Sequence, residues 1–289
     1  MPSLASLPLK PIIRLLLAET DVSLWRNTGR PPFLSSLNMH ISGNTILITG
    51  GTSGIGRSLA EALNDAGNRV IVTGRRRHLL DEITAGRDDM HGMVLDVQDA
   101  SSIQALASDV ADRFPELNVL IANAGISRAE NLLSDAWTVD DAHAMVMTNI
   151  LGVIRMTGAL LPLLSANADA ALIATSSDLA FMPMAAFPTY CATKAFLHSW
   201  LQSVRHQLKQ ADVEVIELSP PYVQTDLTGT AQACDPRAMP LSAYVDHVMA
   251  SLAGNRLPRG ELLVNEASGR RFAERDGRYE AMFAAMNSR

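Results

Sequence analysis

Tyr190 and Lys194 stand four residues apart in Tyr190-Cys191-Ala192-Thr193-Lys194. On a helix that spacing puts a phenol and an ammonium on one face. A nearby cation favours phenolate over phenol, so the pair is expected to lower a pKa that starts at about 10. Tyr190 would then serve as an acid or base near neutral pH. Lysine is also a scarce choice in this chain, which has three (Lys10, Lys194 and Lys209) against twenty-one arginines. Its use here suggests a position that needs a compact point charge.

A second constellation is Thr49-Gly50-Gly51-Thr52-Ser53-Gly54-Ile55-Gly56, which lies between an apolar run and an amphipathic stretch. A dinucleotide pyrophosphate needs exposed backbone N–H groups at a helix N-terminus and few β-carbons in the way. Gly50 would permit the turn, Gly54 close approach, and Gly56 packing of the helix near the strand. Thr52, Ser53 and Ile55 complete the cradle.

The second apolar run ends in Val72-Thr73-Gly74-Arg75-Arg76-Arg77. An NAD site wants an acid here for the ribose hydroxyls, and none is present. Arg75, with Arg76 beside it, suits a 2′-phosphate, so NADP is expected over NAD. Arg77 or Arg76 reads as the solvated start of the next helix. Asp96, followed by Val97, either accepts from the adenine amino group or caps the following helix; the two roles can coexist.

The elements that position these residues alternate from Thr45 onward. Apolar runs at Thr45 to Thr49, Arg69 to Thr73, Met93 to Leu95, Val119 to Ile121, Ala171 to Thr175 and Val213 to Leu218 read as strands. Helical patterns separate them at Ile55 to Ala66, Arg77 to Thr84, Ser101 to Phe114, Thr138 to Leu164 and Thr189 to Gln210. Short apolar strands joined by helical crossovers must be parallel and buried on both faces. The expected architecture is an α/β, doubly wound parallel sheet in one domain, 39–289, with the alternation running from about residue 41 to 265.

Composition narrows the function classes. The chain has 289 residues, 47% apolar and 19% charged, too apolar for a disordered chain. A formal charge of −6 argues against nucleic-acid or anionic-membrane surfaces. No run reaches the ~18 consecutive apolar residues of a membrane span. Cys191 and Cys234 cannot make a disulfide framework, so a reducing, cytoplasmic setting is expected. The seven histidines show no metal-ligand spacing, so no metal is expected. Residues 1–38, broken by Pro2, Pro8, Pro11, Pro31 and Pro32, read as a poorly ordered extension or as sequence upstream of a start at Met39, with a lid or oligomer arm as the alternative.

The glycine cluster, then Asn123-Ala124-Gly125, Asn149, Ser177 and Tyr190-x-x-x-Lys194, in that order, resemble the short-chain dehydrogenase/reductase family. The resemblance covers nearly everything after Met39. It implies a Rossmann-type sheet of about seven strands with helices on both faces, and a tetrad of Asn149, Ser177, Tyr190 and Lys194. Ser177, thirteen residues before Tyr190, would hydrogen-bond the substrate oxygen. Tyr190 would exchange a proton with that oxygen while hydride passes to or from the nicotinamide. Lys194 would hold the nicotinamide ribose, and Asn149 a water that relays the proton to Lys194. Ser176, one residue off, should face the other way. The resemblance also implies a homodimer or homotetramer built on the helices that carry Asn149 and Tyr190.

Two departures stand out. The family's Asn-Asn-Ala-Gly is Ala122-Asn123-Ala124-Gly125 here, and its usual Pro-Gly is Pro220-Pro221. Pro221 fixes φ and removes a backbone donor. The Pro-Pro version resembles a subgroup of bacterial oxidoreductases. Pro220, the Val223 backbone and the Thr225 hydroxyl would still meet the nicotinamide carboxamide and phosphate.

Phe181 to Phe187 and a flap near 222–240 would wall the substrate side. No arginine or histidine cluster is evident there, so an apolar ketone, aldehyde or secondary alcohol is expected. Two other function classes stay open from sequence: a cofactor-binding regulatory protein without turnover, and an epimerase or dehydratase on the same fold.

Overall fold

The computed structural model describes residues 39–254, 257–264 and 269–288, which belong to one compact unit. The reading of 1–38 lies outside the described residues.

Seven parallel strands form one sheet in the order β3-β2-β1-β4-β5-β6-β7. They are β1 (Thr45–Thr49), β2 (Arg69–Gly74), β3 (Met90–Val94), β4 (Val119–Ala122), β5 (Ala171–Thr175), β6 (Glu214–Ser219) and β7 (Glu261–Leu263). Between them run α1 (Gly54–Asp65), α2 (Arg77–Thr84), α3 (Ala100–Arg113), α4 (Val139–Val146), α5 (Val153–Leu164), α6 (Pro188–Leu208), α7 (Thr230–Ala233) and α8 (Leu241–Ala253), with α9 (Tyr279–Asn287) after β7. This is the expected doubly wound architecture.

Strand geometry explains why the sheet is covered on both faces. Successive side chains point to opposite sides, so Ile46 and Ile48 enter one core with Leu59, Leu63 and Val248. Leu47 enters the other with Ile103, Leu160 and Leu201. All of these are essentially inaccessible to water. At ~1.5–3 kcal/mol per buried large aliphatic side chain, the two cores are the main force holding the sheet between its helices.

Two strands depart from the sequence reading. β3 runs Met90–Val94 rather than Met93 to Leu95, because its backbone pairs with all of Val70 to Gly74. His91 and Gly92 interrupt the apolar run; a β-carbon on Gly92 would lie 3.0 Å from Leu80 Cβ, so α2 sits directly on that edge strand. β7 is only three residues long and contains the buried Glu261, which leaves little periodic signal.

The stretch Val139–Leu164 is continuous, but Met147–Gly152 widens into a π-helical segment. Such insertions recur at functional sites because they re-aim a side chain without ending the helix. By length and composition this helix could cross a membrane; here its second half packs Val153, Met156, Leu160 and Leu164 into the core.

Strand order reverses at β1, which has β2 on one side and β4 on the other. A crevice must open outside the carboxyl ends of β1 and β4, where successive crossovers leave in opposite directions.

Candidate active site

A cleft of about 660 Å³ occupies that crevice. Its floor is the turn from β1 into α1. Gly50 has φ +67°, and a β-carbon there would lie 2.8 Å from Ala124 Cα. Gly54 has φ +53°. A β-carbon on Gly56 would come within 2.4 Å of both the Gly50 carbonyl oxygen and Asn123 Nδ2. Gly56 therefore seats α1 against the turn and the Asn123 amide rather than against a strand.

Thr49 Oγ1 accepts from the backbone N–H groups of Asn123 and Ala124, and Asn123 Nδ2 donates to the Thr49 carbonyl. Thr175 donates to Asn123 Oδ1. The glycine turn, the β4 exit and the end of β5 are thus one hydrogen-bonded unit. No side chain caps α1 and its first turn carries no acid. Its N–H groups and positive dipole end face the cleft, which suits an anionic phosphate.

Gly50, Thr52, Ser53, Gly54, Ile55 and Gly56 all line the cleft, as do Asn123, Ala124 and Gly125. So do Arg75, Arg76, Asp96, Val97, Pro220 and Thr225. Arg76 reaches Thr52 Oγ1 at 3.4 Å, while Arg77 is not on the wall. Asp96 does not cap the next helix. Its Oδ1 accepts from Gln98 N, and the cap of α3 is Asp99, which accepts from Ser101 N.

Val223 does not line the cleft. It is buried in the core, its carbonyl accepts from Gln232 Nε2, and it pairs with Met239. That pairing, with Gln224 N donating to Met239 O and Met239 N to Tyr222 O, stitches the neck of the expected flap, which reaches the cleft through Thr225, Asp226 and Leu227.

At the inner end, α6 presents Tyr190 and Lys194, both buried and both on the cleft wall. Lys194 Nζ lies 5.7 Å from the Tyr190 ring centroid and donates to the Thr175 carbonyl at 2.8 Å. Burial pushes the Tyr190 phenol above its ordinary pKa, an effect the Ser177 hydroxyl opposes and Cys191 and Asp178 reinforce. The phenol is thus raised rather than lowered as the spacing suggested: burial is the dominant cause, and the Lys194 ammonium, 5.7 Å from the ring centroid, does not reverse it. Burial also brings Lys194 down to about 8, with Glu217 pulling the other way.

Ser177 caps the 3₁₀ turn Asp178–Ala180, accepting from Leu179 N, and is buried behind the wall. Ser176 faces the other way, into a bond with Glu217. Asn149 is fully buried and not on the wall. Its Nδ2 donates to Ile126 O and Thr193 Oγ1, and its Oδ1 accepts from Ile126 N. Both amide donors are engaged, so the side chain clamps the Asn123–Ile126 loop. One Oδ1 lone pair remains for a water.

Ile126, Leu179, Met184 and Phe187 pack on Tyr190 and Cys191. Cys191 is a packed thiol, pushed up by burial. The sequence showed no arginine or histidine cluster on the substrate side, and the arginines that the structure brings near it are each paired with an acid. Arg128 lines the cleft and pairs with Asp141; Arg270 pairs with Asp178 at 2.6 Å; Arg271 lies over Phe181 and is bidentate to Glu261. These contacts come from a loop and from the segment after β7, where no periodicity marks them. His198, Glu217 and Glu261 hold ligand atoms within 4.8 Å of one another, a cluster the sequence spacing hid. Arg271 pairs with Glu261 and His198 hydrogen-bonds Glu217, so both carboxylates already have protein partners.

A phosphate-ready helix end joined to a buried Ser-Tyr-Lys group defines a nicotinamide-dependent oxidoreductase, and the comparisons agree. Residues 44–235 match the short chain dehydrogenase family. The chain belongs to that family and is an NAD(P)-dependent dehydrogenase/reductase. It is 35% identical to the oxidoreductase DltE of Bacillus subtilis over 86% of this chain and 99% of that one. It is 34% identical to sulfoacetaldehyde reductase 2 of Chromohalobacter salexigens, over 63% of this chain and 74% of that one. Among solved structures, a short chain dehydrogenase from Burkholderia cenocepacia in complex with NADP superposes with a TM-score of 0.74 at 25% identity, covering 87% of this chain and all of that one.

Proposed function

We propose that the protein is an NADP-dependent carbonyl reductase in which Tyr190 donates the proton. The carrying observation is the juxtaposition of a proton-bearing buried phenol with Ser177 and Lys194 at the inner end of a cleft whose outer end carries Arg75 and Arg76. The residues fit the dinucleotide: β-carbon-free positions at Gly50 and Gly56, an uncapped helix end, and guanidinium groups where NAD would need an acid. The NADP complex of the Burkholderia relative supports the same choice.

The nicotinamide, when bound, supplies or takes up the hydride. The protein's part is proton transfer and orientation. Ser177 Oγ hydrogen-bonds the substrate oxygen and fixes it toward Tyr190. Tyr190 Oη, protonated at neutral pH, gives its proton to the oxygen as negative charge develops. Lys194, cationic below its pKa of about 8, stabilises the phenolate left behind and holds the ribose. Asn149 keeps the Asn123–Ile126 loop in place and offers its free lone pair to a relay water.

The walls from Ile126, Leu179, Met184 and Phe187 favour a small, largely apolar ketone or aldehyde. Arg128 favours a second reading, a carbonyl compound bearing an acid group, as the sulfonate of the Chromohalobacter enzyme's named substrate would be. A homodimer or homotetramer would cover the exposed Val139, Val146 and Phe196; a cytoplasmic setting without nucleic-acid or membrane partners rests on the formal charge of −6 and the two cysteines. The test is an NADPH and NADH titration followed by a carbonyl panel monitored at the NADPH absorbance. Tighter NADPH binding with turnover of neutral carbonyls supports the reading. A tenfold preference for NADH, or no turnover across the panel, overturns it.

A further inference from the structure

The polar stripe that begins with the catalytic pair does not stop there. Tyr190, Lys194, His198 and Gln202 follow one another at four-residue intervals on α6 and share a face. Gln202 Nε2 lies 2.8 Å from His198 Nε2, and His198 Nδ1 lies 2.8 Å from Glu217 Oε2. Glu217 belongs to β6, and its side chain is 0% exposed. Its second oxygen accepts from Ser176 Oγ at 2.5 Å, and Ser176 Oγ also lies 2.9 Å from Ser219 Oγ. Ser176 stands between Thr175, whose carbonyl accepts a hydrogen bond from Lys194 Nζ, and Ser177. One buried carboxylate therefore ties together the two elements that carry the reacting groups.

We propose that Glu217 is a positioning residue for this reaction, locking the exit of β5 to α6 through Ser176 and His198 and standing as the buried counter-charge of Lys194. The inference rests on the reduction assigned above but concerns a group that touches neither substrate nor cofactor. Burial raises the Glu217 carboxyl, but His198, Ser176 and Arg205 outweigh it and hold the carboxyl below the usual range. The resulting charge acts on Lys194, opposing the burial that lowers its pKa. Around Lys194 stand Tyr190 on α6, the Thr175 carbonyl on β5, Asn149 on the π segment and Glu217 on β6. Around Glu217 stand His198 and Arg205 on α6, Ser176 after β5, Ser219 on β6, and Glu261 on β7, which Arg271 neutralises.

Only three lysines make the test direct. With 13C-labelled lysine, the Cε resonance of Lys194 is assigned by its loss in Lys194→Met and followed against pH in the whole protein, with no turnover needed. Glu217→Gln keeps the shape and deletes the charge, so the Lys194 midpoint should fall by roughly half a unit to one unit. An unchanged midpoint overturns the proposal. The reciprocal measurement needs no change at the buried carboxylate, and so stands even if Glu217→Gln does not fold. With 13Cδ-labelled glutamate, the Glu217 midpoint should rise in Lys194→Met, because coupling between two sites is mutual; an unmoved Glu217 midpoint also overturns it. In kinetics, the alkaline limb of kcat/KM should shift to lower pH in Glu217→Gln by the NMR amount. A shift by NMR with an unmoved limb would uphold the coupling and instead contradict the role given to Lys194 in the reaction.

Discussion

Lys194 Nζ donates to the carbonyl oxygen of Thr175 at 2.8 Å, so the ammonium of α6 is anchored to the last residue of β5, two positions before Ser177. This bond sets the geometry of the site. It fixes α6 against the sheet edge where the cleft opens and holds the charge within reach of the Tyr190 ring. Tyr190 keeps its proton because burial, reinforced by Cys191 and Asp178, raises its phenol.

The pH dependence follows. Burial lowers Lys194 from the ordinary lysine value to about 8, so its ammonium is present below that pH and lost above it. A reaction that needs the cation should show kcat/KM falling as pH rises through about 8. A rate constant flat to pH 10 would contradict this assignment.

Asp178 carries the opposite limb. Burial raises its carboxyl to about 6 despite the Arg270 partner at 2.6 Å, so the ion pair is lost as pH falls through 6. Asp178 begins the loop that walls the substrate between Ser177 and Tyr190. KM for the carbonyl substrate should therefore rise below pH 6, and Asp178→Asn should show that raised KM at every pH. Identical KM profiles for both proteins would count against the loop's role.

Gly56→Ala places a methyl group 2.4 Å from the Gly50 carbonyl oxygen and from Asn123 Nδ2, both parts of the cradle. Forced overpacking of this kind costs about 1–3 kcal/mol. The expected result is a lower Tm with dinucleotide binding weakened by an order of magnitude or more. Wild-type affinity in this variant would show that the turn does not hold the pyrophosphate.

Arg75→Ala should weaken NADPH binding about tenfold or more and leave NADH binding nearly unchanged, since only the former offers a 2′-phosphate to a guanidinium. Isothermal titration with both dinucleotides checks it. Equal losses for the two would place Arg75 on some shared part of the molecule.

Much of this was legible in the order of residues. The alternation of apolar runs and helical patterns is the direct imprint of a sheet buried on both faces, and Gly50 and Gly56 mark positions where a β-carbon has no room. Lys194 was conspicuous because the chain otherwise chooses arginine. What the sequence could not show is the direction in which competing effects settle. Spacing put Lys194 beside Tyr190, but only packing reveals the burial that raises the Tyr190 phenol. Val223 has the right neighbours in sequence yet turns into the core because Gln232 takes its carbonyl. Asn149 sits in a helix by pattern, while the π segment that aims it depends on tertiary contacts with Ile126 and Thr193. Arg128, Arg270 and Arg271 come from irregular segments that carry no period, and Glu217 looked like a routine strand residue until its partners on β5 and α6 closed around it.

The central claim is that the Tyr190 hydroxyl delivers the proton beside a bound dinucleotide. Tyr190→Phe removes that one oxygen and leaves the packing against Cys191, Met184 and Phe187 intact. Single-turnover reduction of a carbonyl substrate should slow by about 10²–10⁴-fold, while NADPH affinity and Tm stay at wild-type values. Reduction at the wild-type rate by a folded, NADPH-saturated Tyr190→Phe protein would contradict it.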